Sequence, residues 1–192
     1  MKLCFATNNK NKLEEIQALL GDQFTLLTLT EIGCDEEIPE TRETIEGNSL
    51  QKAEYIWENY KINCFADDTG LEVAALHGEP GVFSARYAGP QRSPDDNIAL
   101  LLKNLASHAN HDARFKTVIT LVRDGEYFQF EGIVEGTIIF EKKGTNGFGY
   151  DPVFVPKGQV KTFAEMTMDE KSKLSHRSRA FAKLEDFLKQ LN

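Results

Sequence analysis

The chain has 192 residues, with 22 Lys plus Arg against 30 Asp plus Glu and a net charge of −8. At roughly 150 residues per domain, that length predicts one domain, or one split into two lobes. A hydrophobic fraction of 41% and a charged fraction of 27% exclude disorder, collagen and coiled coil. The longest apolar runs are four or five residues, too short to span a bilayer. The start, Met1-Lys2-Leu3-Cys4-Phe5-Ala6-Thr7, turns polar too early for a signal peptide, so a cytoplasmic protein is expected. Cys4, Cys34 and Cys64 are odd in number and lack a CxxC spacing, which predicts buried free thiols rather than disulfides or zinc. The acidic balance argues against a nucleic-acid partner. It leaves room for a small anionic ligand bridged by a metal ion.

In chain order, Leu3-Cys4-Phe5-Ala6 predicts a short buried strand. Leu13, Ile16, Leu19 and Leu20 then repeat at helical spacing, with Gly21 as the stop. A second helix carries Leu50, Ala53 and Ile56, with Asn48 expected as its cap. Ile62 to Ala66 reads as another buried strand, expected to end at Asp67-Asp68-Thr69-Gly70. Ser93-Pro94 opens a third helix through Ile98, Leu101, Leu102 and Leu105. Phe115 to Val122 and Tyr127 to Val134 read as a strand pair around an Asp124-Gly125 turn. Further strands are expected at 138–140 and 153–155, flanking a Gly-rich loop. A C-terminal helix presents Ala180, Leu184, Phe187, Leu188 and Leu191. Early alternation of strands and helices followed by antiparallel strands predicts an α/β fold, a mixed sheet covered by helices.

Four stretches carry candidate chemistry. Thr7-Asn8-Asn9-Lys10-Asn11-Lys12 joins a strand to a helix N-terminus, where free N–H groups, the dipole and two lysines favour an anion. It reads equally as a polar turn with solvated lysines. Asp67 and Asp68 point to opposite faces of an extended chain, so one of them is expected in any shared site. With Glu40, Glu43 or Glu46 it offers the oxygen donors that suit Mg²⁺; the alternative is a turn in which Asp acts as a cap. A single Asp-Thr-Gly among several helices does not suit an aspartic protease. Phe148-Gly149-Tyr150-Asp151 pairs close backbone approach with an aromatic face that can stack on a base, or is a loop whose aromatics are core. Ser175 as a cap places His176 and Arg177 in a first helical turn, where cations work against the dipole.

Taken in order with Lys52, Pro80-Gly81 and Ser84-Ala85-Arg86-Tyr87, these stretches resemble the inosine triphosphate pyrophosphatase (HAM1-like) family of nonstandard purine nucleoside triphosphatases. The resemblance spans residues 1–192 as one domain of that type. It implies an elongated mixed sheet with two lobes, a nucleotide cleft between them, and a homodimer. It also implies Mg²⁺-dependent hydrolysis of ITP, dITP or XTP to the monophosphate and pyrophosphate. Asp68 would be the catalytic carboxylate and a metal ligand, with Glu40 the second ligand. Thr7, Asn8, Asn9, Lys10, Asn11, Lys12 and Lys52 would hold the triphosphate, and Thr69 would touch substrate. Phe148, Gly149, Tyr150, Asp151, Lys171, His176 and Arg177 would form the base pocket, with His176 and Arg177 donating to a 6-keto oxygen. Two alternatives are a Maf-type pyrophosphatase of other base specificity and a nucleotide sensor without hydrolysis. The first should lack the Ser175-His176-Arg177 segment, and the second has no need of Asp68 and Glu40 together.

Overall fold

The computed structural model describes residues 2–19 and 25–190; the expected contributions of Leu20, Gly21 and Leu191 lie outside them. The elements are β1 (Lys2–Phe5), α1 (Lys10–Leu19), β2 (Thr25–Leu27), α2 (Ile45–Tyr60), β3 (Cys64–Val73), β4 (Pro80–Gly81), α3 (Pro94–Leu105), β5 (Asp112–Arg123), β6 (Glu126–Ile138), β7 (Phe154–Pro156), α4 (Met168–Ser172) and α5 (His176–Gln190). The strands form one mixed sheet in the order β2-β1-β3-β5-β6-β7, with β4 on β3. β1 is parallel to β2 and to β3, in register Cys4↔Cys64 and Phe5↔Phe65. β4 and β7 pair antiparallel, on β3 and β6 respectively. The α/β class expected from the sequence is the class observed.

The chain divides into two compact units. Unit 1 comprises Met1–Asp68, Thr117–Gly132 and Arg177–Asn192. Its part of the sheet is covered on both faces, and strand alternation decides which residue goes where. Odd-numbered Leu3, Phe5 and Phe65 pack with Ile16 of α1 and Ala180, Phe181, Leu184 and Leu188 of α5. Even-numbered Cys4, Ala6, Cys64 and Ala66 pack with Ala53 and Ile56 of α2. Phe5 and Phe65, in register, stack at 4.6 Å. The Asp124-Gly125 turn between β5 and β6 has positive φ at both residues, 52° and 87°, as a two-residue hairpin of right-handed twist demands. Asn63 braces it, accepting from the Asp124 N–H at 2.8 Å and donating to the Asp124 carboxylate at 3.1 Å.

Unit 2 comprises Thr69–Lys116 and Ile133–His176. Ser93 caps α3 through a bond from the Asp96 N–H, with Pro94 in the first turn. Ile98, Leu101 and Leu105 of that helix pack with Leu71, Val73, Phe115, Phe154 and Phe163. The expected strand at 138–140 is only the end of β6: Ile138 closes the strand, and β7 starts at Phe154, after a 3-10 turn, Asp151–Val153.

All three cysteines are free and buried. Burial pushes the Cys4 thiol up to about 12, and the nearby Cys34 and Glu31 push the same way. Cys64 is raised further, by burial and then by Cys4. At pH 8 a thiol with a pKa near 12 is ionised to only about one part in 10⁴. Native protein treated with iodoacetamide at pH 8 is therefore expected to leave Cys4 and Cys64 unmodified, whereas the guanidinium-unfolded chain reacts at all three cysteines. Peptide mass mapping reads this, and rapid labelling of Cys4 or Cys64 in the native state would contradict it.

Candidate active site

The carboxylates stand where one strand outruns its neighbour. β1 stops at Phe5, and just past it the Ala6 N–H donates to the Phe65 carbonyl at 2.8 Å. β3 continues to Val73. Asp67 and Asp68 thus lie past the carboxyl end of a parallel strand, the place where open α/β sheets bind ligands. The expectation that Asp67-Asp68-Thr69-Gly70 ends its strand is corrected: all four are strand residues. Pairing with β4 and a bond from the Leu71 N–H to Ser84 Oγ at 2.8 Å keep the backbone extended beyond them.

Alternation sends the two carboxylates to opposite faces of the sheet, as expected. Asp67, 1% exposed, shares the α1/α5 face with Phe65. Lys12 Nζ donates to its Oδ1 at 2.9 Å, and Arg177 approaches its Oδ2 at 3.4 Å. The Arg177 guanidinium, also 1% exposed, additionally pairs with the buried Glu15 of α1. Burial alone would raise the Asp67 pKa. Lys12, Arg177 and Lys52 outweigh it and hold the carboxyl well below the usual range. Lys12 is lowered, by burial first, with Asp67 opposing.

Asp68, 8% exposed, shares the α2 face with Cys64 and Ala66. Asn48 Nδ2 donates to its Oδ2 at 3.4 Å, and Lys52 Nζ lies 3.9 Å from its Oδ1. Lys52 also donates to Glu40 Oε1 at 2.5 Å. Burial raises the Asp68 pKa, and the carboxylates of Glu40 and Asp67 add to burial against the pull of Lys52 and Lys12. Lys52 is itself raised: burial opposes, but Asp68, Glu40 and Asp67 prevail.

Asn48 is not the helix cap. Thr44 is, its extended backbone letting Oγ1 accept from the Gly47 N–H at 3.0 Å. Asn48 lies one turn inside α2, almost fully buried, and its Oδ1 accepts from the Arg42 N–H at 2.9 Å. One amide thus ties the approach segment, the helix and Asp68 together.

In the 7–12 loop, Thr7 Oγ1 accepts from the Asn9 N–H at 3.2 Å. Asn9 Oδ1 accepts from the N–H groups of Asn11 and Lys12 at 3.0 and 3.3 Å, so Asn9 caps α1. Asn8, Lys10 and Asn11 are exposed. Of the two lysines, the structure brings Lys12 to the carboxylates.

Apart from Arg177, the base-side candidates fall in unit 2. Asp151 Oδ2 accepts from the Phe148 N–H at 2.8 Å and from the buried Lys171 Nζ at 2.7 Å. Lys171 also lies over the Phe148 ring at 5.1 Å. Tyr150 is core: it is buried, its hydroxyl donates to the Ser84 carbonyl at 2.9 Å, and burial raises its pKa. The His176 ring stacks on Phe115 at 4.6 Å and 17°. Gly149 has a positive φ of 61°, and Thr69 is half-buried beside Asp68.

His176 and Arg177 begin α5. The imidazole belongs to unit 2 and its aromatic cluster, and the guanidinium to unit 1 and its carboxylates. Successive helical residues point about 100° apart. The dipole penalty for a cation in a first turn is about 0.3–1 kcal/mol, and two buried carboxylates outweigh it. The Arg177 guanidinium is thus engaged by Glu15 and Asp67, and the His176 ring by Phe115. Glu15 belongs to none of the sequence motifs above. Its signal is an acid three residues after Lys12, on the apolar side that also carries Ile16.

Asp68 and Glu40 converge on one cationic atom, Lys52 Nζ. Among the described residues no group of three or more His, Cys, Asp or Glu is placed to hold a metal. Two carboxylates without a protein cage suit Mg²⁺, which takes its remaining ligands from phosphates and water. Among the described residues no helix is long and apolar enough to cross a membrane.

Residues 3–187 match the Ham1 family. A dITP/XTP pyrophosphatase of Flavobacterium johnsoniae is 54% identical over 188 residues, 98% of each chain. That of Flavobacterium psychrophilum is 52% identical over 189 residues, 98% of this chain and all of the other. The structure of the Staphylococcus aureus Ham1 protein superposes with a TM-score of 0.91 at 37% identity, covering all of both chains. With identity this high from end to end, and the motif residues standing in family order, the chain belongs to the Ham1 family.

Proposed function

We propose that this chain hydrolyses nonstandard purine nucleoside triphosphates, namely ITP, dITP and XTP, to the monophosphate and pyrophosphate, and so cleanses the nucleotide pool. The observation that carries the reading is Asp68, a buried carboxylate of raised pKa set against Lys52, Glu40 and Asn48. The dITP/XTP pyrophosphatase names of the relatives supply the substrate class.

Lys12 and Lys52 bind the triphosphate and stabilise charge that develops on the leaving pyrophosphate. Asn48 fixes the Asp68 carboxylate, which orients the attacking water and accepts its proton. Glu40 and Asp68 would hold Mg²⁺, which when bound neutralises phosphate charge and clamps the triphosphate. Phe148 and Lys171 meet the purine ring, with His176 as a donor to its 6-keto oxygen. Adenine offers an amino group where that donor needs an acceptor. Leaving the donor unpaired costs about 1–3 kcal/mol, or roughly 10–100-fold in kcat/KM for ATP. A homodimer, which rests on the resemblance alone, and a cytoplasmic location, which rests on the early polar residues of the chain, complete the proposal.

The test is product analysis on a panel of nucleoside triphosphates with and without Mg²⁺. Pyrophosphate release from ITP and XTP, lost with EDTA and at least about tenfold slower with ATP, is the expected result. Orthophosphate release, or equal rates with ATP and ITP, would overturn the reading.

A further inference from the structure

The loop that carries Phe148 is clasped at both ends within unit 2. Its far end is held by Asp151, through the Phe148 N–H and Lys171. Its near end lies against the 3-10 turn Phe163–Glu165. There the N–H groups of Thr145 and Asn146 both donate to the Ala164 carbonyl at 3.0 Å. Asn146 Nδ2 donates to the Met166 carbonyl at 3.0 Å. The two segments touch so closely at Gly144 (φ +80°) that a Cβ there would stand 2.1 Å from the Ala164 carbonyl carbon. Thr162 joins them. It is fully buried, and its hydroxyl donates to the Lys143 carbonyl at 2.9 Å while accepting from the Glu165 N–H at 3.2 Å. The Glu165 carboxylate returns a bond to the Thr162 N–H at 2.8 Å, closing a capping box. One hydroxyl therefore starts the turn that grips the loop and also ties down the loop's leading edge.

We propose that Thr162 is a positioning residue for base binding: through Lys143 and the turn it initiates, it sets where Phe148 stands, and so how tightly the purine is held. This rests on the reading of 148–151 as part of the base pocket. A hydroxyl supplies one donor and accepts through its lone pairs. Valine keeps the shape of threonine and loses both bonds; serine keeps both bonds.

The experiment pairs amide hydrogen exchange with ITP kinetics on Thr162→Val and Thr162→Ser. In the valine variant the Thr145 and Asn146 amides should lose about tenfold in protection. KM for ITP should rise about tenfold, with kcat within about twofold. Serine should restore both. Unchanged protection in Thr162→Val overturns the clasp. Lost protection with unchanged KM overturns the link to binding, and Phe148→Ala made alongside assigns that failure. If Phe148→Ala raises KM, the base reading stands and Thr162 alone is misassigned; if it does not, the base reading falls. Should Thr162→Val not fold, Thr162→Ala, which removes the same hydroxyl and keeps the bond from the residue 162 N–H to Glu165, replaces it with the same expected and overturning outcomes.

Discussion

Asp68→Asn is expected to lower kcat for ITP by about 10²–10⁴, the range for losing a positioned general base. The substitution keeps the side chain's size and an acceptor for Asn48 Nδ2, now 3.4 Å from Oδ2. It should therefore fold and retain the ion pair of Lys52 with Glu40. Asp67→Asn makes the useful contrast. Asp67 faces the other side of the sheet and is ionised by Lys12 and Arg177, so its loss acts through the placing of Lys12 rather than through the water. Steady-state pyrophosphate release, with circular dichroism as a check on folding, measures both. A near-wild-type rate for Asp68→Asn would remove it from the chemistry.

Arg177→Met is expected to cost about 3–5 kcal/mol of stability, since it removes one cation from two buried carboxylates, Glu15 and Asp67, the latter keeping Lys12. For a chain of this length each kcal/mol shifts Tm by about 2–4 °C, so the melting point should fall by roughly 10 °C. Glu15→Gln in the same background should recover part of the loss, because the two effects share one ion pair. Asp67 is held below the ordinary carboxylate range by its cations. Its contribution is thus present above the unfolded pKa of about 4 and is lost only as pH falls below it toward the folded value. Differential scanning calorimetry at pH 7 and pH 3 should therefore find a narrower gap between wild type and variant at the lower pH. A Tm within about 2 °C of wild type, together with a collapse of the ITP-to-ATP ratio, would instead return Arg177 to base recognition.

Much of the fold was legible locally. Ser93-Pro94, the Asp124-Gly125 turn and the stripes of α3 and α5 are each written within a dozen or so residues, where hydrogen-bond geometry and side-chain period act over short range. Alternation along β3 was likewise enough to send Asp67 and Asp68 to opposite faces. The sequence by itself also determined which residue types were available for phosphate, metal and base. What it did not determine was which cation meets which carboxylate. Thr44 and Asn48 are both good cap residues, and burial against β3 decided that Thr44 caps while Asn48 holds Asp68. Asp67 finds Lys12 across 55 positions and Arg177 across 110, and Glu15 meets Arg177 across 162. Pairings that distant have no local period. They exist because β3 runs on past the end of β1, where α1 and α5 bring Lys12, Glu15 and Arg177 to Asp67, and buried charge is stable there only when opposite signs close on one another.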